Sequence, residues 1–155
     1  MRMVAVVLIN PKFPHNVGGA IRACAAFDVL QLRWTGDRVG NPIHGERLPR
    51  EERLRLFQKV DWGRVEGPTW LTDGLIPVAV EVRQAAEDLT WFEHPKDAAY
   101  VFGPEDGSLD KGVLSACHRF VRIPSEVCLN LAAAVNVVLA DRRMKAIRDS
   151  QRSNP

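Results

Sequence analysis

Apolar positions along the chain fall into short, β-branched runs separated by segments with helical spacing. Residues 4–9 form a continuous apolar run closed by Asn10-Pro11. That is the pattern of a strand buried on both faces of a parallel sheet. Asn16-Val17-Gly18-Gly19 reads as a turn, and residues 20–27 as a helix with an Ala-rich packing face. Residues 30–34 read as a second strand, which completes a βαβ unit with a right-handed crossover. A Gly/Pro-containing loop over 36–49 leads to a helix over 50–59, with Leu54, Phe57 and Val60 on one face. Residues 63–68 read as a loop, 75–82 as a strand and 88–93 as a short helix or loop. Further strands are predicted over 98–102 and 120–123, with a short helix over 110–117 between them. The longest helix is predicted over 129–147, apolar nearly all round in its first half and charged in its second.

Alternating strands and helices predict an α/β fold, a mostly parallel sheet flanked by helices. At 155 residues, with 46% hydrophobic and 26% charged, the chain suits one domain with one core. The expected domain is 1–149, followed by a polar tail over 150–155. The apolar run at the N-terminus is cut by Asn10-Pro11-Lys12 with no small-residue cleavage site, so it reads as a strand rather than a leader. No stretch reaches the roughly 18 apolar residues of a membrane span, and no membrane partner is expected. Cys24, Cys117 and Cys128 are widely spaced, with no metal-ligand pattern. Reduced thiols, a cytoplasmic location and no metal are the expectation.

A net charge of +2 gives the whole-chain field little to say about partners. Its distribution says more. Arg47, Arg50, Arg53 and Arg55 form one cluster, and Arg142, Arg143, Lys145 and Arg148 another. Either can hold a phosphate backbone or be a solvated helix face.

Ligands of such sheets bind beyond the carboxyl ends of strands, which singles out three junctions. After the first strand comes Asn16-Val17-Gly18-Gly19-Ala20-Ile21-Arg22, where backbone amides can approach an anion. Arg22, placed near the start of the following helix, works against the helix dipole. It is either a phosphate-gripping fork or a surface arginine. After the 98–102 strand comes Gly103-Pro104-Glu105-Asp106-Gly107, either a tight loop presenting Glu105 or an ordinary turn. After the 120–123 strand, Ile123-Pro124 leads to Cys128-Leu129-Asn130 at a helix start. There Asn130 is a site residue or a cap, and Cys128 a site residue or a small hydrophobe.

In this order and spacing the three motifs resemble the SpoU/TrmH family of SPOUT RNA methyltransferases. The pattern Asn-x-Gly-x-x-x-Arg is carried by Asn16, Gly18 and Arg22. Gly-x-Glu-x-x-Gly is carried by Gly103, Glu105 and, one residue early, Gly107. Ile-Pro with a later Ser-x-Asn is carried by Ile123, Pro124 and Asn130, with Cys128 where the family has serine. The short chain and the run 16–25 look most like the TrmL-like branch, which methylates the tRNA wobble ribose.

The resemblance implies a SPOUT α/β-knot fold with a deep trefoil knot near the C-terminus, and a homodimer. It implies methyl transfer from S-adenosylmethionine to a ribose 2′-hydroxyl of RNA, tRNA favoured, leaving S-adenosylhomocysteine. DNA is not an expected partner. An rRNA substrate, or a non-catalytic RNA- or cofactor-binding role, is the alternative. It implies Arg22, Asn16, Glu105 and Asn130 as catalytic residues. Arg22 would reach the 2′-hydroxyl from the partner subunit, and Glu105 would steady the arginine or take the proton. The expected cofactor pocket is Val78, Ala79, Val80 and Glu81; Phe102, Gly103, Pro104 and Gly107; and Arg122, Ile123, Pro124, Cys128 and Leu129. RNA would be held by Arg22, Arg50 and Arg53.

Overall fold

The structure is a computed structural model describing residues 3–42, 49–67 and 74–153. The elements in chain order are β1 (Val4–Leu8), α1 (Pro14–Ala26), β2 (Gln31–Trp34), α2 (Arg50–Lys59), β3 (Asp61–Arg64), β4 (Ile76–Val80), β5 (Glu87–Asp88), β6 (Ala98–Phe102), α3 (Lys111–Ala116), β7 (Arg119–Arg122) and α4 (Leu131–Arg152). The strands form one seven-stranded sheet in the order β3-β2-β1-β6-β4-β7-β5. Every pairing is parallel. The last strand lies beside β4 while α4 returns to pack on α1, a path in accord with a knotted C-terminus.

Strand alternation sorts the core into two faces. Val6, Leu8, Leu32, Val78, Tyr100 and Phe102 join α1 and α4 side chains such as Val17, Ile21, Leu131, Val135 and Val138 in the larger cluster. Val7, Ala79 and Val101 point the other way, toward Leu109 and Cys117 around α3. The central strands β1 and β6 are buried almost end to end, so their sequences carry no polar alternation.

Helix α1 begins at Pro14 and not at residue 20, so Gly18 and Gly19 sit inside a helix rather than in a turn. Two glycines in a helix cost roughly 1 kcal/mol each. What offsets that cost is the approach of α4: a Cβ on Gly19 would stand 2.8 Å from the Ala132 Cβ. Arg22 therefore lies in the interior of α1, and the helix-dipole argument for its placement does not hold.

Two edge strands depart from the sequence reading. The 63–68 segment, expected as a loop, contributes to β3, which pairs with β2. Trp62 there stacks on Trp34 at 6.1 Å and donates from Nε1 to the Phe57 carbonyl. The 88–93 segment contributes Asp88 to the two-residue β5, fastened by Arg119 on Glu87 at 2.8 Å. On α2, Phe57 is buried but Leu54 is 41% exposed, so the expected apolar face is narrower. Helix α4 runs through Arg152, into the segment expected to be a tail. Arg47 and its neighbours His44 and Glu46 lie outside the described residues.

Candidate active site

The carboxyl ends of β1 and β6 stand side by side, with Leu8 paired to Phe102. The loops that leave them are tied together by one carboxylate. Glu105 accepts from the Lys12 amide at 3.1 Å to each oxygen, from the Phe13 amide at 2.9 Å, and from Asn16 Nδ2 at 3.2 Å. Phe13 is the N-cap of α1 and offers no side-chain cap of its own. Glu105 thus caps α1 from 92 residues away, at the positive end of the helix dipole. Partial burial pushes its pKa up. The Lys12 and Phe13 amides and Asn16 outweigh that and hold it below its ordinary value.

Asn16 is 2% exposed, the one polar side chain among the buried described residues. Its Oδ1 accepts from Asn130 Nδ2 at 2.8 Å. Asn130 Oδ1 in turn accepts from the Ala133 amide at 3.2 Å, capping α4. The relay Asn130–Asn16–Glu105 therefore links the starts of α4 and α1 to the loop after β6. Three of the four expected catalytic residues are in it.

Beside this relay lies a cleft of about 260 Å³ at the ends of β4, β6 and β7. Of the expected cofactor residues, Val80, Glu81, Phe102, Gly103, Pro104, Gly107, Ile123, Cys128 and Leu129 line it. Val78 and Ala79 do not: they are fully buried within β4, which reaches the cleft only at its last residue. Arg122 turns its guanidinium toward Asp88 at 3.6 Å, and Pro124 is not among the lining residues. The structure adds Val82, Glu105, Ser108, Ser125, Leu131 and Ala134. Leu131 and Ala134 had a helical signal, but one that assigned them to the core alone.

Arg22 is exposed on α1, six residues beyond Asn16. Six helical residues amount to about 9 Å along the axis and about 120° around it, so the two project differently. Arg50 is exposed and Arg53 half-buried on α2, which packs on α1 and β3. None of the three arginines lines the cleft. A further arginine was missed. Arg38 grips both oxygens of Asp106 at 2.8 and 3.0 Å and donates to the Asn10 carbonyl. The paired guanidinium pulls the Asp106 carboxyl down to about 2. Its signal in the sequence was a lone arginine in a loop, with no pattern to set it apart.

The cleft suits a ligand with a flat apolar part and a positive charge. Its walls include Val80, Phe102, Ile123 and Leu129, and Glu81 stands at its edge. The ends of three parallel strands also bring main-chain amides and carbonyls to its rim.

Over residues 3–140 the chain matches the SpoU rRNA Methylase family. It is 26% identical to the tRNA (cytidine-2'-O-)-methyltransferase TrmJ of Methanocaldococcus jannaschii, over 95% of this chain and 70% of that one. It is 32% identical to the tRNA (cytidine/uridine/adenosine-2'-O-)-methyltransferase TrmJ of Pseudomonas aeruginosa, over 91% of this chain and 60% of the relative. The crystal structure of the SpoU methyltransferase AviRb from Streptomyces viridochromogenes with its cofactor AdoMet superimposes with a TM-score of 0.75. That match has 19% identity and covers 95% of this chain and 62% of that one.

Proposed function

The chain belongs to the SpoU rRNA Methylase family, and we propose that it methylates RNA ribose 2′-hydroxyls with S-adenosylmethionine, tRNA being the favoured substrate. The observation that carries this is the Asn130–Asn16–Glu105 relay set against the cleft. Tertiary contacts over 89 and 114 residues of sequence hold it in place. The tRNA preference rests on the TrmJ relatives, both tRNA 2′-O-methyltransferases by name.

S-adenosylmethionine supplies a methyl group already activated on a sulfonium. The protein's task is placement, together with handling of the hydroxyl proton. Val80, Phe102, Ile123 and Leu129 would take the adenine and exclude water, while Glu81 would face the positive charge. Glu105 is a poor proton acceptor: its lone pairs are occupied by three donors and its pKa is lowered. Its role is to fix Asn16 and the start of α1. Arg22 would orient the 2′-hydroxyl and stabilise the oxygen as the O–C bond forms and the S–C bond breaks, the proton leaving to water. A guanidinium does not give up its own proton at neutral pH, so Arg22 is not the base.

A homodimer is part of this reading. Ala133, Val137, Ala140, Met144 and Ile147 recur at four- and three-residue steps along α4. Val137, Met144 and Ile147 are exposed there, a stripe suited to a second copy.

The test is transfer of labelled methyl from S-adenosylmethionine to bulk tRNA and rRNA from cells lacking the protein. Alkali-resistant label in tRNA, lost with Arg22→Ala, is the expected result. Tight cofactor binding with no transfer to either RNA would sink the enzyme reading.

A further inference from the structure

A second concavity lies away from the cleft, between the 90–96 segment and the last turns of α4. Its volume is about 780 Å³. Lys96, Arg142, Lys145, Arg148 and Arg152 line it, against the carboxylates of Glu93 and Asp149. Lys145 and Arg142 are anchored. Lys145 Nζ donates to the Leu89 and Phe92 carbonyls and pairs with Asp141, and Arg142 donates to the Pro95 and Lys96 carbonyls. Carbonyls take up hydrogen bonds but cancel no charge, so Arg142 stays a fixed cation in the groove wall, while Asp141 offsets the charge of Lys145 and Asp149 stands 3.5 Å from Arg148 Nε. Lys96, Arg148 and Arg152 are exposed.

At the lip stands Trp91, 83% exposed. An indole held in water beside a row of cations calls for a ligand with both flat rings and regularly spaced negative charge. That is a strand carrying unpaired bases and phosphates, with a base on the ring and phosphates along the cations.

We propose that this groove binds a single-stranded or looped segment of the RNA substrate, one base stacked on Trp91 and its phosphates on Lys96, Arg148 and Arg152. The proposal rests on the RNA reading above and deepens it. The groove borders the segment that enters β6, whereas the cleft lies where β6 ends. Five strand residues separate the two by about 17 Å. The bound segment is therefore not the nucleotide being methylated but a second point of recognition.

The experiment measures binding of bulk tRNA between 50 and 300 mM salt, with S-adenosylmethionine calorimetry as the control for folding. The proteins are wild type, Trp91→Ala, Trp91→Phe and the triple variant Lys96→Gln/Arg148→Gln/Arg152→Gln. Loss of three phosphate contacts should flatten the salt slope by about 2 and weaken binding at least tenfold at low salt. Trp91→Ala should weaken binding about tenfold, and Trp91→Phe should restore most of it. Cofactor affinity should stay within twofold throughout. If wild type binds and methylates tRNA while all three variants match it, the groove proposal fails and the enzyme reading stands. That outcome would leave the groove to a protein partner or to none. If the variants lose RNA binding but wild type transfers no methyl, the groove is supported and the enzyme reading fails. Wild type that binds no RNA overturns both.

Discussion

Replacing Glu105 with glutamine changes one oxygen to NH2 and removes one charge at the place where three donors converge. Glutamine keeps a single acceptor for the Lys12 and Phe13 amides and Asn16 Nδ2, and its own NH2 must face at least one of them. A hydrogen bond to a charged group is worth about 1.5–3 kcal/mol net, and the helix-dipole contact a few tenths more. The carboxylate is only partly buried, so solvent screens part of this, and a loss of about 1–2 kcal/mol is expected. In a domain of this size that lowers the thermal midpoint by about 2–8 °C. The pH dependence separates this mechanism from mere bulk. Glu105 is held below its ordinary value of 4.5, so its contribution is fully present above that pH. It is lost as pH falls through the folded-state value. The gap between wild type and Glu105→Gln, measured by denaturant unfolding from pH 7 to 4, should therefore be widest near neutrality and shrink below about 4.5. Methyl transfer should fall more than S-adenosylmethionine affinity, because Asn16 loses its anchor while the cleft walls remain. A variant as stable as wild type at pH 7, or a gap that is flat with pH, would refute the cap.

Three further outcomes follow from other contacts. Gly19→Val pushes carbon into Ala132 and should cost about 1–3 kcal/mol in urea unfolding, partly recovered by adding Ala132→Gly. Burial holds the His94 imidazole below its ordinary value of 6.5, against the opposing effect of the Asp141 carboxylate that accepts from its Nε2. Stability from the neutral ring is present above that value and lost as pH falls through the folded-state one. The thermal midpoint of wild type should thus drop faster than that of His94→Gln between pH 7.5 and 5.5, and equal slopes would exclude His94. Cys24 and Cys117 are buried, their thiols pushed up to about 12 and 11, while Cys128 is exposed in the cleft. Iodoacetamide should label Cys128 alone, and S-adenosylmethionine should slow that labelling several-fold; no protection would move the cofactor elsewhere.

The parts of the fold visible in the sequence are those whose own residues decide their state. The runs that became β1 and β6 are buried on both faces, and α2 and α4 carry enough helical spacing to be placed. What was not visible depends on distant chain. The start of α1 was hidden because its cap is Glu105 and because Gly19 looks like a turn residue until α4 is laid against it. Strand β3, Asp-Trp-Gly-Arg, has no apolar run, and backbone pairing to β2 makes it a strand. The site followed the same division. Motif spacing located Asn16, Glu105 and Asn130, and the structure adds that they bond in series. Of the β4 residues expected at the cofactor, Val78 and Ala79 do not line the cleft, since a sequence does not mark where a buried strand leaves the sheet. Its α4 wall, Leu131 and Ala134, was assigned to the core because an apolar helix face looks the same whether it meets side chains or a ligand.

The separation of Arg22 from the rest of the site bears on the proposed homodimer. Asn16 turns inward to Glu105 and Asn130, whereas Arg22 lies about 9 Å further along α1 and about 120° around it, on the exposed side. Arg22 does not line the cleft of its own chain. If Arg22 acts on the 2′-hydroxyl, it acts on the ribose held by another copy, and each dimer then has two composite sites. Complementation between inactive variants tests this. Asn130→Ser keeps a hydroxyl to cap α4 but loses the amide that donates to Asn16. Arg22→Ala leaves the relay whole. In a heterodimer of the two with Arg22 acting across the interface, one site carries both lesions and the other carries neither. Random reassembly of an equal mixture makes half the dimers mixed, so about a quarter of wild-type transfer should return. Arg22 acting within its own chain would leave every site of the mixture with one lesion. The mixture would then be as inactive as its parents, and the dimer would lose its catalytic reason.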